Sequence, residues 1–125
     1  MNVVDSSGCL EYFAKGPNAA TFATPIRDRA RLLVPSIVIL EVRRRLLQQE
    51  QPGELVDEAI ASMRRNGVID LDFAMAVSAA DLGVECELSL ADRVILATAR
   101  AQGATLWTQD ADFEGLADVK FVPRR

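Results

Sequence analysis

The sequence predicts an α/β fold, a three-layer α/β/α sandwich with a short, mostly parallel central sheet, formed by one domain over residues 1–125. Three observations predict it. Short apolar runs alternate with longer segments of helical period, the alternation that produces parallel βαβ units. Half of the residues are hydrophobic, enough to fill a core at this length. No internal repeat, low-complexity tract or linker divides the chain.

The first strand is expected over residues 2–4, followed by Asp5-Ser6-Ser7 and a helical segment over residues 9–14. Asp5, Ser6 or Ser7 can cap that helix, and Asp5 also stands at the carboxyl end of a strand, where parallel sheets bind ligands. Gly16-Pro17-Asn18 breaks the chain. Residues 19–29 carry a weaker helical pattern in which Pro25 marks a kink or a restart. Residues 31–34 read as a second strand stopped by Pro35, with Ser36 placed to cap the next helix, residues 36–49. Residues 37–40 are β-branched enough for a strand, but the strongly helix-forming residues 41–49 follow without a turn signal.

Pro52-Gly53 leads to a helix over residues 54–65, with Leu55, Ile60 and Met63 expected inward, and Asn66-Gly67 ends it. A third strand is expected over residues 68–71. An Ala-rich helix over residues 72–84 is expected to turn Leu82 and Val84 inward and to leave Asp72 and Asp81 exposed or capping.

Residues 88–113 organise the rest. Ser89 is a natural N-cap, and Asp92 three residues on completes a capping-box-like pattern. Leu90, Val94, Ile95, Ala97, Thr98 and Ala101 recur at helical spacing, and Gly103 is the stop. Residues 105–108 form a short apolar strand running into Gln109 and Asp110. A brief turn over residues 112–116, a closing strand over residues 119–122 and a frayed tail complete the chain.

Composition excludes several function classes. There is no histidine, which removes His-based acid/base chemistry, His-containing triads and most zinc sites. The two cysteines, Cys9 and Cys86, lie far apart and read as reduced, buried thiols. No apolar run approaches the roughly 20 residues of a membrane span and the first residues show no leader, so a cytoplasmic protein is expected. A net charge of −4 rules out nucleic-acid binding by bulk positive charge. The arginines still cluster at residues 27–31, 43–45, 64–65 and 124–125, as solvated helix faces or as local phosphate-binding patches.

Four acids have similar standing: Asp5 after the first strand, Glu41 early in the third helix, Asp92 at a helix N-terminus and Asp110 after the fourth strand. Glu41, between Leu40 and Val42, must either point out of the core or have a cation to meet, and a salt bridge to Arg44 or Arg45 is the ordinary way to satisfy it. Together in one crevice the four would repel, so the arrangement requires protonation or divalent cations. Carboxylates without His or Cys are hard ligands that select Mg²⁺ or Mn²⁺. Ions held by few carboxylates keep waters and suit phosphodiester hydrolysis.

These residues resemble the PIN domain, and within it the small VapC-type toxins of type II toxin–antitoxin pairs. The resemblance runs through VVDSSGCLEYF, VPSIVILEV, LSLADRVILATA and TLWTQDADF in order, and a final apolar strand. It implies a Mg²⁺- or Mn²⁺-dependent endoribonuclease with Asp5, Glu41, Asp92 and Asp110 as catalytic acids, of which Asp5, Asp92 and Asp110 hold metal. Ser6 and Thr108 match supporting hydroxyl positions, and Asp112 can share the fourth acidic role. Arg93, where the family more often has a small or apolar residue, is a candidate RNA contact. The resemblance further implies a homodimer and inhibition by a cognate antitoxin. The competing readings are a non-catalytic α/β binding module, which predicts no metal binding, and an inactive PIN-like complex component.

Overall fold

The computed structural model describes residues 1–84 and 86–125. Five strands, β1 (Asn2–Val4), β2 (Leu32–Pro35), β3 (Gly67–Ile69), β4 (Thr105–Thr108) and β5 (Val119–Phe121), form one sheet in the order β3-β2-β1-β4-β5. Every pairing is parallel, with Val3 opposite Leu33 on one side and Leu106 on the other. Between the strands run α1 (Ser6–Phe13), α2 (Ala19–Arg27), α3 (Ser36–Gln48), α4 (Gly53–Arg64), α5 (Phe73–Leu82) and α6 (Leu90–Ala101). The chain steps outward from β1 to β2 to β3, then crosses back to β4 and β5. Right-handed crossovers therefore place α1–α4 on one face and α5 and α6 on the other, which gives the three layers expected.

The direction reverses between β1 and β4, and that is where such sheets open a crevice beyond the strand ends. Asp5 leaves β1 and Asp110 follows β4 at this point. Beneath it Val3, Phe22, Val38, Val42, Ile95, Leu96, Leu106 and Phe113 form a core sealed from solvent. Helix α6 is buried through six successive residues, 94–99, because α5 lies along one side of it and the sheet along the other.

Several local expectations are corrected. Helix α1 starts at Ser6, before residue 9, because Asp5 caps it by accepting from the Gly8 amide. Pro35, not Ser36, holds the N-cap of α3. The β3 strand is displaced to Gly67–Ile69. Pro25 lies buried within α2. Leu55 is 45% exposed because the inward stripe of α4 is Val56, Ala59 and Met63, one residue out of phase with it. Val84 is 91% exposed because α5 ends at Leu82 and the helical register ends with it. Leu90, in the first turn of α6, is 75% exposed. Gly103 does stop α6, in the left-handed conformation at φ 61°. Both cysteines are free; Cys9 is buried and its Sγ donates to the Val4 carbonyl at 3.6 Å, whereas Cys86, expected buried, is only half-buried.

Gly8 sets how closely α1 lies on the sheet. A Cβ there would stand 2.7 Å from both Phe22 Cε1 and Val4 Cγ1, and neither can retreat in the closed core. Gly8→Ala gains helix propensity of up to about 1 kcal/mol but overpacks the core by about 1–3 kcal/mol. A net fall in Tm of about 5 °C is expected in thermal melts followed by circular dichroism.

Candidate active site

Asp5 is the buried floor of the cleft, at 2% exposure. Its Oδ1 accepts from the Gly8 amide at 2.9 Å and from Ser7 Oγ at 2.7 Å, and its Oδ2 accepts from Thr108 Oγ1 at 2.5 Å. Burial pushes its pKa up to about 6 against these three hydrogen bonds, with the Asp110 charge adding to the rise. Thr108, itself buried, also accepts from the Asp110 amide at 2.9 Å. One hydroxyl thus joins the end of β1 to the loop after β4.

Glu41 reaches the cleft from the second turn of α3, where Ser6 Oγ donates to its Oε1 at 3.1 Å. It forms no ion pair with Arg44 or Arg45, the alternative open in the sequence. Partial burial raises its pKa, opposed by Ser6 and Arg44 and reinforced by Asp110. Asp92 enters from the first turn of α6, whose Ser89 cap accepts from the Asp92 amide at 3.2 Å. Its pKa is pushed up to about 6, first by burial and then by the charges of Asp110, Glu41 and Asp5, with Ser89 opposing. The positive end of α6 moderates the charge of Asp92. Asp110 caps the 3₁₀ turn Ala111–Phe113 by accepting from the Asp112 amide at 3.0 Å.

Carboxylate oxygens of Asp92, Asp110 and Asp112 lie within 4.8 Å of one another, close enough to share one cation. The three acids come from two elements of the chain. The all-oxygen donor set fits a hard divalent ion, and burial, reinforced by neighbouring carboxylates, raises the proton affinity of Asp5, Glu41 and Asp92 beyond what their own hydrogen bonds balance. The structure brings Asp5, Glu41, Asp92 and Asp110 into one electrostatically coupled cluster and adds Asp112 to it. Arg93 turns to α5, with its guanidinium against Gly83 at the end of that helix, and makes no ion pair with the five acids. Ser7 is the supporting hydroxyl that sequence reasoning missed. It donates to Asp5, lies 3.4 Å from Thr108 Oγ1 and accepts from the Gln109 amide at 3.3 Å. The signal was present as the second Ser of Asp5-Ser6-Ser7, read there only as a cap.

A parallel α/β sheet with an acidic cluster at its switch point defines a class of small acid-site domains. The chain matches the family model of the PIN domain over residues 3–119 and belongs to that family. Solved structures share its fold across nearly their whole length. A toxin–antitoxin complex from Klebsiella pneumoniae matches at 20% identity and a TM-score of 0.81, covering 100% of both chains. Mycobacterium tuberculosis VapC20, described as a sarcin-ricin loop cleaving toxin, matches at 20% identity and 0.73, covering 96% of this chain and 99% of that one. DNA-bound VapBC from Salmonella typhimurium matches at 17% identity and 0.76, covering 98% of each. No curated protein matches the chain in sequence.

Because Asp5 and Asp92 hold their protons up to about pH 6, against an ordinary 3.8, the folded state binds protons more tightly than the unfolded chain. Their contribution to stability is full below the ordinary value and is lost as pH rises through the folded one. With EDTA present, Tm should fall by several degrees between about pH 5 and pH 8. Asp92→Asn should flatten that fall, and Mn²⁺ should lift the wild-type Tm at the upper pH. Parallel pH profiles for wild type and variant would contradict the assignment.

Proposed function

We propose that this chain is a metal-dependent endoribonuclease, the toxin of a VapC-type toxin–antitoxin pair, which hydrolyses RNA phosphodiester bonds in the acidic cleft. The observation that carries the reading is the convergence of Asp92, Asp110 and Asp112 within 4.8 Å, beside Asp5 and Glu41, at the switch point of a PIN domain sheet. Asp92, Asp110 and Asp112 would hold Mg²⁺ or Mn²⁺, with Asp5 and Glu41 completing the donor set. When bound, such an ion supplies an activated water and charge stabilisation at phosphorus.

The chain's own groups prepare the site for this. Thr108 fixes Asp5 and the backbone of Asp110 together, Ser7 orients Asp5, and Ser6 orients Glu41. Glu41, half-buried and with raised proton affinity, is suited to take the proton that water gives up on attack. RNA as substrate is supported by the loop-cleaving activity named for one structural relative. The reading makes the protein a cytoplasmic homodimer restrained by a cognate antitoxin; the toxin–antitoxin complexes among its structural relatives support the antitoxin. No helix among the described residues is long and apolar enough to cross a membrane.

The test is cleavage of a mixed RNA pool by purified protein with Mg²⁺, Mn²⁺ or EDTA, beside Asp92→Asn. Cutting should require metal and fall at least about a hundredfold in the variant, because a ligand charge is removed with little change of shape. Its circular dichroism should be unchanged. Retained cutting by Asp92→Asn, in a preparation free of contaminating nuclease, would refute the site.

A further inference from the structure

An open groove of about 910 Å³ runs between α1, α3 and α4, and at its cleft end it is lined by Ser6, Ser7 and Gln109. The hydroxyls there are spent on carboxylates, Ser6 on Glu41 and Ser7 on Asp5. Gln109 is different. Its Oε1 accepts from Asn18 Nδ2 at 3.1 Å, and the same Nδ2 donates its other hydrogen to the Pro123 carbonyl at 2.9 Å. A carbonyl only accepts, so Pro123 fixes which end of the Asn18 amide is nitrogen. Asn18 in turn fixes which end of the Gln109 amide is oxygen. Gln109 Nε2 then has no hydrogen-bond partner among the described residues, on a side chain that lines the groove next to Asp110.

We propose that Gln109 is a substrate-binding residue whose Nε2 donates to a non-bridging phosphate oxygen of the RNA strand, and that Asn18 is the positioning residue that keeps this donor facing the groove. The inference rests on the ribonuclease reading. A phosphodiester entering a cleft of five carboxylates has to find donors there; Arg45 and Arg124 line the same groove as cations, and the Gln109 amide adds a donor beside the acids that carries no counter-charge to pair with them. Asn18 is sealed inside and does not line the groove, so it acts only through Gln109.

The test is steady-state cleavage of a mixed-sequence single-stranded oligoribonucleotide with saturating Mn²⁺, with calorimetric Mn²⁺ titration and thermal melts alongside. Gln109→Met keeps the volume and the Asn18–Pro123 bond but removes the donor together with the acceptor of Asn18, a loss read separately in the thermal melts; KM should rise about tenfold with kcat little changed. Gln109→Glu keeps the acceptor for Asn18 and turns an anion to the groove, so KM should rise further. Asn18→Asp should raise KM as well, because the Gln109 amide turns over to donate to the new carboxylate. Should that variant not fold, the two Gln109 variants decide. Mn²⁺ affinity should stay within about threefold in Gln109→Met. Unchanged KM in both Gln109 variants overturns the inference alone, as does a rise in KM matched by an equal loss of Mn²⁺ affinity. Wild-type protein that cuts no RNA overturns the ribonuclease reading and this inference together.

Discussion

A carboxylate almost sealed from water has to be answered by donors, and the architecture around Asp5 exists to supply them. The Gly8 amide is free because Asp5 ends the strand and opens a helix in one step. Thr108 is within reach because β4 lies directly beside β1. Ser7 is within reach because α1 begins at once. Take away the tight strand-to-helix junction and Asp5 becomes a buried charge with too few partners, which a domain of this size does not tolerate.

The rest of the cleft is assembled from elements that have no sequence neighbourhood in common. Glu41 comes down from α3 and Asp92 from α6, on opposite faces of the sheet, while Asp110 and Asp112 ride the loop after β4. Each element is anchored by its own apolar residues, Val38 and Val42 in α3 and Ile95, Leu96 and Ala99 in α6. The core therefore supplies the rigidity with which like charges are held together. The burial, reinforced by like charges, that raises the pKa of Asp5, Glu41 and Asp92 is a cost in stability accepted where, on the proposed reading, a cation would offset it.

Much of this was legible in the residues. Alternation of short apolar runs with helical segments foretold the parallel sheet, Ser89 and Gly103 marked the ends of α6, Asp5, Asp92 and Asp110 stood out by their place at strand and helix ends, and Glu41 stood out as an acid between apolar neighbours. What stayed hidden depends on contacts between distant segments. Nothing local distinguishes Ser7, whose role depends on Thr108 and Gln109 about a hundred positions away. The periodicity of α6 could not announce that α5 would cover its second side, nor that Leu90 would be left in solvent. Arg93 adjoins Asp92 in sequence but is about 100° around the helix from it, enough to send the guanidinium to α5.

The parallel pairing of β1 with β4 has a consequence for the order of events during synthesis. Asn2 pairs with Thr105, and Thr108 bonds to Asp5 across 103 positions. Strands so far apart close a loop that includes most of the chain, a topology that folds slowly because little can form before its ends meet. A nascent chain lacking β4 has an edge at β1 and an Asp5 without its Thr108 partner. The acidic cluster thus comes into being only once β4 and the loop carrying Asp110 and Asp112 have been synthesised, so that a nascent chain stopping short of them holds at most Asp5, Glu41 and Asp92 without the rest of the site.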